Sequence, residues 1–299
     1  MSRTDAVSLS ELRAFAVSVA REAGEVTLRY FRGEFDVELK ADETPVTRAD
    51  REAERLVRER IAEAFPDDAI LGEEYGAQAG RGKRTWVVDP IDGTKSFVAG
   101  VPLYAVLIAL VDGAYAGEEI PTDRVLVGVI HVPPLDETVS AARGCGARWR
   151  DGTASVSTRS SLAQARVSTT DFVDLYRREP AVAQRILDFS EFGRTWGDAY
   201  GYLLTATGRL DAMVDPIVSP WDIAPLPVIM EEAGGAFTDL RGRAVLGTSA
   251  IASNGLVDGA ILRCSSQSPL PLNAPFRIRA HVQGEARVYA LTLALPTKP

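Results

Sequence analysis

One stretch, residues 86–97, constrains this chain more than any other. An apolar run at 86–88 leads into two carboxylates three residues apart, Asp89 and Asp92, and a proline lies between them. Proline fixes its own backbone angle φ, and the glycine at position 93 suits a turn that leads into a helix. The pattern therefore predicts either a corner that binds a metal ion and a phosphate group, or an ordinary turn at the end of a strand.

The chemistry of this corner suits a hard cation. Mg²⁺ prefers carboxylate oxygens, keeps several waters and is commonly completed by the phosphate oxygens of a substrate. Asp89 and Asp92 supply such oxygens from one short loop. The backbone N–H groups of Gly93 and Thr94 would face an anion if they open a helix. An isolated Asp-x-x-Asp is also common in surface turns, so the two carboxylates leave both interpretations open.

The full string Asp-Pro-Ile-Asp-Gly-Thr, followed three residues later by Phe97, resembles the first signature of the inositol monophosphatase family. Further family motifs occur in the same order at residues 71–74, at Trp221-Asp222 and at residues 231–235. The resemblance spans roughly residues 10–262. It implies an α+β layered sandwich of the inositol monophosphatase and sugar phosphatase type, with helices flanking mixed sheets in two subdomains. Periodicity by itself indicates only a mixture of α and β structure.

The resemblance also implies a set of site residues, each by its place in a motif. The implied metal ligands are Glu73, Asp89, the backbone carbonyl of Ile91, Asp92 and Asp222. The implied catalytic groups are Asp50 and Thr94, which would polarise the attacking water, together with Glu73. Phosphate is expected at Gly93 and Thr94, and the substrate at Lys40, Asp198, Ala199 and Asp215. An oxygen-only ligand set suits Mg²⁺ or Mn²⁺ and disfavours zinc.

Several of these acids also have an ordinary structural interpretation. Asp50 lies in a helix-start pattern, Thr47-Arg48-Ala49-Asp50, and Asp222 is the acid of a second such pattern, which begins at Ser219 and predicts one helix that ends at Gly234-Gly235. The adjacent pair Glu73 and Glu74 is typical of a solvated loop when it stands alone. These roles do not exclude metal binding or catalysis.

The implied reaction is hydrolysis of a small phosphate monoester. Two or three cations would bind phosphate oxygens, lower the pKa of a water and neutralise the leaving alkoxide. This chemistry requires no Ser or Cys nucleophile, and the family resemblance also implies sensitivity to lithium. A catalytically silent member that binds phosphate or a protein partner is the alternative of another class, and metal-dependent turnover would separate the two.

The expected substrate follows from the second half of the chain. Residues 194–202 look like the bacterial histidinol-phosphate phosphatase branch of the family. Asp198 and Asp215 could pair with the ammonium or imidazolium of histidinol phosphate, an interaction that a neutral inositol cannot match. The alternatives are an inositol-1-monophosphatase and a broad sugar-phosphate phosphatase that acts on fructose 1,6-bisphosphate.

Composition narrows the remaining possibilities. The formal net charge of −8 argues against a surface that binds nucleic acid. The apolar run at 101–111 is far shorter than a membrane span, and the first residues lack a signal-peptide core, so a cytoplasmic protein is expected. Two cysteines and two histidines leave little material for disulfides, a zinc site or a Ser-His-Asp triad. His131, between apolar neighbours, is expected to be structural.

The order of patterns along the chain predicts its organisation. A capping box at residues 8–11 predicts a helix over about 10–31, and apolar runs at 101–110, 124–132 and 138–142 predict antiparallel strands. We expect an N-terminal subdomain at 1–155 that carries the metal and phosphate loop. A substrate-selecting subdomain is expected at 156–262. An extension of unknown role is expected at 263–299, with two possible strands at 276–282 and 287–293. The family resemblance implies a homodimer.

Overall fold

The computed structural model describes residues 7–32, 37–39, 45–262, 276–283 and 286–293, and it describes side chains over 7–32 and 48–262. Lys40, an expected substrate contact, therefore lies outside the described residues. Two compact units make up the chain, Met1–Arg263 and Cys264–Pro299.

The helices and strands follow one another in mixed order through the first unit. The helices are α1 Leu9–Tyr30, α2 Arg48–Ala64, α3 Thr94–Val98, α4 Phe172–Arg178, α5 Pro180–Phe189, α6 Ala199–Ala206, α7 Pro220–Ile223, α8 Leu226–Glu232 and α9 Asp258–Leu262. The strands are β1 Val37–Leu39, β2 Pro45–Thr47, β3 Ala69–Gly72, β4 Gly76–Gln78, β5 Arg84–Asp92, β6 Ala105–Asp112, β7 Ile120–Pro121, β8 Val125–Val132, β9 Glu137–Ala142, β10 Ala147–Trp149, β11 Gly152–Thr153, β12 Arg166–Ser168, β13 Phe192–Arg194, β14 Ala212–Asp215, β15 Ala236–Thr238, β16 Val245–Leu246 and β17 Ala250–Ser253. In the second unit, β18 Phe276–Gln283 and β19 Ala286–Leu293 pair antiparallel, at the positions where the sequence predicts two strands.

The larger sheet has eight strands in the order β11-β10-β9-β8-β6-β5-β3-β4. All neighbours pair antiparallel except β3 and β5, which are parallel. Strands β6, β8 and β9 are the antiparallel strands predicted from the three apolar runs. Their long apolar stretches are explained by burial on both faces of the sheet.

Adjacent residues of β5 show how both faces are covered. Trp86 and Val88 pack under α1 and α2, whereas Val87, between them, packs toward α6 and α8. Side chains alternate between the faces of a strand, so a continuous apolar run serves two cores at once.

A second sheet of five strands, β13-β12-β14-β17-β15, mixes parallel and antiparallel pairs. Met213 of β14 faces the core shared with α6 and α8, and Val214 faces α4, α5 and α9. The first unit is thus a sandwich of helices, sheet, helices, sheet and helices, which confirms the α+β layered prediction. The boundary near residue 155 between two subdomains stays a prediction.

Local patterns explain where individual helices begin. Ser8 caps α1: its N–H donates to Oε2 of Glu11 at 2.8 Å, and the N–H of Glu11 donates to Oγ of Ser8 at 3.3 Å. The helix expected after Ser219 is instead two short helices, α7 and α8, because Pro225 at their junction has no N–H for a helical hydrogen bond. Within the described ranges, no helix combines the length and the apolar character needed to cross a membrane.

Candidate metal and phosphate site

The end of β5 departs from a regular strand between its two aspartates. Asp89 pairs with Leu107 and Asp92 with Ala105, so three steps along β5 match two steps along β6. Residues three apart in a regular strand point to opposite faces, but one extra residue restores a common face. Pro90 lies within this bulge, where its missing N–H breaks no ladder hydrogen bond. The bulge therefore directs both carboxylates to the same side.

A third carboxylate reaches this side from the second half of the chain. Single oxygens of Asp89, Asp92 and Asp222 lie within 4.8 Å of one another. Asp222 is in the only turn of α7, and its Oδ2 also accepts the N–H of Ser219 at 2.7 Å. The sequence offered a capping role and a metal-binding role for Asp222. The structure gives it the capping hydrogen bond and a place in the acidic cluster.

The cluster borders a cavity of about 460 Å³. Its walls come from the turn after β3, the end of β5, the start of α3, the loop after β12, the loop before α6 and the loop before α7. The lining residues include Glu73, Asp89, Ile91, Asp92, Gly93, Thr94, Lys95, Ser96, Thr170, Asp171, Asp198, Ile217, Val218, Ser219 and Asp222. All five expected metal ligands are therefore among the residues of one cavity wall.

Burial and mutual repulsion raise the pKa values of these acids. Burial raises the pKa of Asp89 well above its ordinary value, and the charges of Glu73, Asp92, Asp222 and Asp50 raise it further. The pKa of Asp92 is also well above its ordinary value, first through burial and then through the charge of Asp198. Burial raises the pKa of Asp222 to about 7, against the N–H of Ser219, which lowers it. So many converging carboxylates favour a neighbouring positive charge, and their oxygen-only chemistry fits a hard cation.

The expected catalytic groups lie close to this cluster. Asp50 is in the first turn of α2 and is 2% exposed. The hydroxyl of Thr94 donates to the carbonyl of Ile91 at 3.2 Å. Gly93 adopts a left-handed conformation with φ of 86°, and a Cβ at this position would lie 2.7 Å from Oδ2 of Asp198. Glycine is required here both for the backbone angle and for the space.

The expected substrate residues that the structure describes divide into one that lines the cavity and two that do not. Asp198 lines the cavity, and burial with the charge of Asp215 raises the pKa of its carboxyl to about 6. The N–H of Ala199 donates to Oδ2 of Asp92 at 2.5 Å, so Ala199 fixes that carboxylate through its backbone. Asp215 does not line this cavity but lines an adjoining one of about 340 Å³. It accepts the hydroxyl of Tyr202 at 2.7 Å and the N–H of Thr170 at 2.8 Å.

Four further polar residues on the cavity wall were not singled out from the sequence. These are Lys95, Ser96, Thr170 and Asp171. Lys95 and Ser96 directly follow the recognised motif, and this proximity was the one available signal. Thr170 and Asp171 come from the end of β12, so their approach to β5 depends on how the two sheets pack. His131 lies elsewhere, on β8, where its Nδ1 is 2.9 Å from Oγ1 of Thr138.

The fold and the site together define a class: a layered α+β protein whose cavity carries oxygen ligands suited to a hard cation. Within that class the chain belongs to the inositol monophosphatase family, whose sequence model matches residues 8–269.

Individual relatives support the same placement. A histidinol-phosphatase from Chlorobaculum parvum is 44% identical over 235 residues, which cover 76% of this chain and 85% of that protein. A histidinol-phosphatase from Mycobacterium tuberculosis is 38% identical, over 83% of this chain and 95% of that protein. Among solved structures, an IMPase from Thermotoga maritima matches with a TM-score of 0.72 and 33% identity, over 83% of this chain and 94% of that one.

Proposed function

We propose that this protein is a metal-dependent phosphomonoesterase that hydrolyses histidinol phosphate to histidinol and phosphate. One observation carries the proposal: Asp89, Asp92 and Asp222, from two distant parts of the chain, place oxygens within 4.8 Å of one another beside a cavity of about 460 Å³. A phosphate monoester carries two negative charges near neutral pH, and an acidic cavity repels it unless cations lie between them.

Mg²⁺ or Mn²⁺, held by Glu73, Asp89, Asp92, Asp222 and the carbonyl of Ile91, would supply Lewis-acid polarisation of the phosphate and a water of lowered pKa. The residues of the chain would hold these ligands in position. Asp89 and Asp92 are fixed by hydrogen bonds from the N–H groups of Ile91 and Ala199, which hold the two carboxylates in place before substrate arrives.

Asp50 and Thr94 are proposed to orient the attacking water and to receive its proton. The support is their position: Asp50 is buried near Asp89, whose pKa its charge raises, and Thr94 lines the cavity beside Gly93. A carboxylate held beside the attacking water can accept its proton. Pairing between the two side chains stays a prediction.

The choice of histidinol phosphate rests on acidic residues close to the expected metal ligands. Asp198 and Asp171 line the same cavity, and Asp215 lines an adjoining one. A cationic group on the substrate would stabilise the ionised form of Asp198, because burial and then the charge of Asp215 raise its pKa to about 6, against the opposing charge of Lys95. The relatives named histidinol-phosphatase, at 44% and 38% identity, agree with this choice.

The test compares phosphate release from histidinol phosphate and from inositol 1-phosphate, each titrated with Mg²⁺ or Mn²⁺. We expect metal-dependent turnover with a clear preference for histidinol phosphate. Asp198→Asn should remove much of that preference and leave hydrolysis of inositol 1-phosphate nearly unchanged. Metal-dependent turnover of inositol 1-phosphate alone would overturn the assignment of histidinol phosphate as the substrate. Absence of turnover with either metal would favour the catalytically silent alternative.

An inositol-1-monophosphatase, or a broader sugar-phosphate phosphatase, is the second candidate. It is favoured by the likeness to the Thermotoga maritima IMPase over 83% of this chain. The metal cluster could serve any monoester. The contacts that Asp171 and Asp198 make with the rest of the substrate would therefore decide between these candidates. Fructose 1,6-bisphosphate belongs in the same substrate panel.

A further inference from the structure

A fully buried carboxylate lies outside the wall of the cavity. Glu54 is on the second turn of α2 and is 0% exposed, whereas the residues that line the cavity do not include it. Isolated buried carboxylates are strongly unfavourable, so Glu54 must be compensated by its neighbours.

Two of those neighbours belong to the turn between β3 and β4, and the third is on α2. Oε2 of Glu54 accepts the N–H of Glu74 at 2.7 Å, and Oε1 accepts the N–H of Tyr75 at 3.2 Å. Oε1 also accepts Nε of Arg58 at 2.7 Å, one turn further along α2. Three donors, two of them backbone groups of one turn, therefore converge on a single side chain.

Arg58 holds the same turn from its other side. Its Nη2 donates to the carbonyl of Gly76 at 2.5 Å. Its guanidinium lies 5.8 Å from the ring centroid of Tyr75. Gly72, the last residue of β3, leaves the necessary room: a Cβ there would collide with Oε1 of Glu54 and would lie 2.9 Å from Nη2 of Arg58. The pair fills the space between α2 and the β3–β4 turn.

This turn contains Glu73. The N–H of Glu73 donates to the carbonyl of Val88, next to Asp89 on β5, at 3.3 Å. Its side chain lines the cavity, and its charge raises the pKa of Asp89 more than any other charge does. The turn is thus fixed to β5 through Glu73, and to α2 through the two residues that follow Glu73.

We propose that Glu54, together with Arg58, is a positioning residue that holds the carboxylate of Glu73 toward Asp89 for cation binding. The inference rests on the proposed metal-dependent function. A buried ion pair is rarely worth its desolvation in stability alone, which points to a role in geometry. Asp50 and Glu54, four residues apart, share one face of α2, so one helix would place both the proposed base and the support of Glu73.

The test is Glu54→Gln, with Mn²⁺ affinity measured by isothermal titration calorimetry and by the metal-induced rise in unfolding temperature. Glutamine keeps the shape of the side chain, but it replaces one accepting carboxylate oxygen with an NH₂ group. That group is a donor, and it would face an N–H that needs an acceptor. Loss of a residue that orients a metal ligand typically weakens metal binding on the order of 10- to 100-fold, and we expect a loss in that range. Glu59→Gln, at an exposed position of the same helix, is the matched control and should bind Mn²⁺ like the wild type.

Arg58→Lys separates positioning from folding. Lysine keeps the charge, but it lacks the fork that reaches Glu54 and the carbonyl of Gly76 together, so a smaller loss of Mn²⁺ affinity is expected. Excess metal should restore turnover in both variants. Mn²⁺ affinity equal to the wild type in either folded variant would overturn the inference. Failure of the wild type itself to bind Mn²⁺ would instead overturn the proposed function.

Discussion

Three carboxylates of the site also hold the backbone around them. Asp89 accepts the N–H of Ile91, Asp92 that of Ala199 and Asp222 that of Ser219. An ionised carboxylate has about four lone-pair sites on two oxygens, so one hydrogen bond leaves room for a cation. Each acid can therefore be fixed by the protein and bind a metal with its remaining lone pairs.

Asp92→Asn tests this arrangement directly. The amide oxygen can still accept the N–H of Ala199, but the negative charge is gone, and we expect kcat to fall on the order of 100-fold or more. Without metal, the variant should be at least as stable as the wild type, because one buried like charge has been removed. Phosphate-release kinetics and thermal unfolding in chelator measure the two effects. Asp151→Asn, at an exposed turn, is the control, and a fully active Asp92→Asn would contradict the metal assignment.

Gly93→Ala should damage the site more than it damages the fold. A left-handed backbone costs an alanine about 1–2 kcal/mol, and the added Cβ would displace the carboxylate of Asp198, 2.7 Å away. Gly242→Ala is a matched control, because Gly242 also has a positive φ, of 77°, but a Cβ there meets no atom within 4 Å. We expect similar losses in unfolding temperature and a loss of kcat/KM only for Gly93→Ala. Equal kcat/KM values in the two variants would rule out this role for Gly93.

Motifs predict the site residues that they contain, and they do not predict residues that reach the site only through packing. Asp89, Asp92 and Gly93 could be found because one loop carries them. Asp171 and Glu54 could not, since the approach of Asp171 depends on sheet packing and Glu54 acts through the backbone of a distant turn. The contact between Asp215 and substrate, expected from its motif position, stays a prediction, and the structure gives its oxygens hydrogen bonds from Tyr202 and Thr170.

At the scale of elements, β5 joins the core to the site. Its first half is buried on both faces, and its bulge turns Asp89 and Asp92 toward one cavity. Strand β8 of the same sheet, separated from β5 by β6, has no such role, yet it carries a titratable group into the interface with α1. His131 is 4% exposed, and its Nε2 would lie 2.8 Å from a Cβ at Gly24 of α1.

His131 should make the fold sensitive to acid. Burial, with a smaller contribution from the charge of Arg21, lowers the pKa of His131 from 6.5 to about 4. The unfolded chain binds this proton more readily, so stability falls as the pH drops from about 6.5 toward 4. Between pH 7.5 and pH 5.5 this histidine should account for a loss of about 1 kcal/mol.

The measurement is the free energy of unfolding in urea at the two pH values, for the wild type and for His131→Asn. The comparison cancels the other titrating groups, because they are common to both proteins. A shallower loss toward pH 5.5 in the variant is expected. Parallel pH dependence in the two proteins would show that His131 does not titrate between folded and unfolded states.

Elements with strong local patterns were predictable from sequence, and elements that depend on competing local signals were not. The capping box at Ser8 and Glu11 confirmed the start of α1, because both of its hydrogen bonds are local. The segment after Ser219 was predicted as one helix, but Pro225 divides it. The pairing order of the sheets was available only through the family resemblance, since strand patterns do not specify partners.

At the scale of the whole molecule, the site joins elements from both sheets. Asp89 and Asp92 end a strand of the eight-stranded sheet, and Asp222 follows β14 of the five-stranded sheet. Both sheets contribute to one hydrophobic core with α6 and α8 between them. Bringing the carboxylates together is therefore a consequence of forming that core, and their repulsion opposes it.

Metal binding should reverse the pH dependence that this repulsion causes. Burial raises the pKa of Asp222 to about 7 and that of Asp198 to about 6, from 3.8. Carboxyl groups with raised pKa values in the folded state stabilise it fully below their unfolded pKa, and this contribution is lost as the pH rises from about 4 through about 7. In chelator, therefore, Asp222→Asn should gain unfolding temperature relative to the wild type as the pH rises from 5 to 8.

With saturating Mg²⁺ the wild type should be stabilised most at pH 8, because the cation binds the ionised carboxylates and stabilises by RT ln(1 + [L]/Kd). In a protein of this size each 1 kcal/mol shifts the unfolding temperature by about 2–4 °C, which differential scanning fluorimetry resolves. An Mg²⁺ effect that is equal at pH 5 and pH 8, or equal in the wild type and Asp222→Asn, would show that these carboxylates are not the cation's ligands.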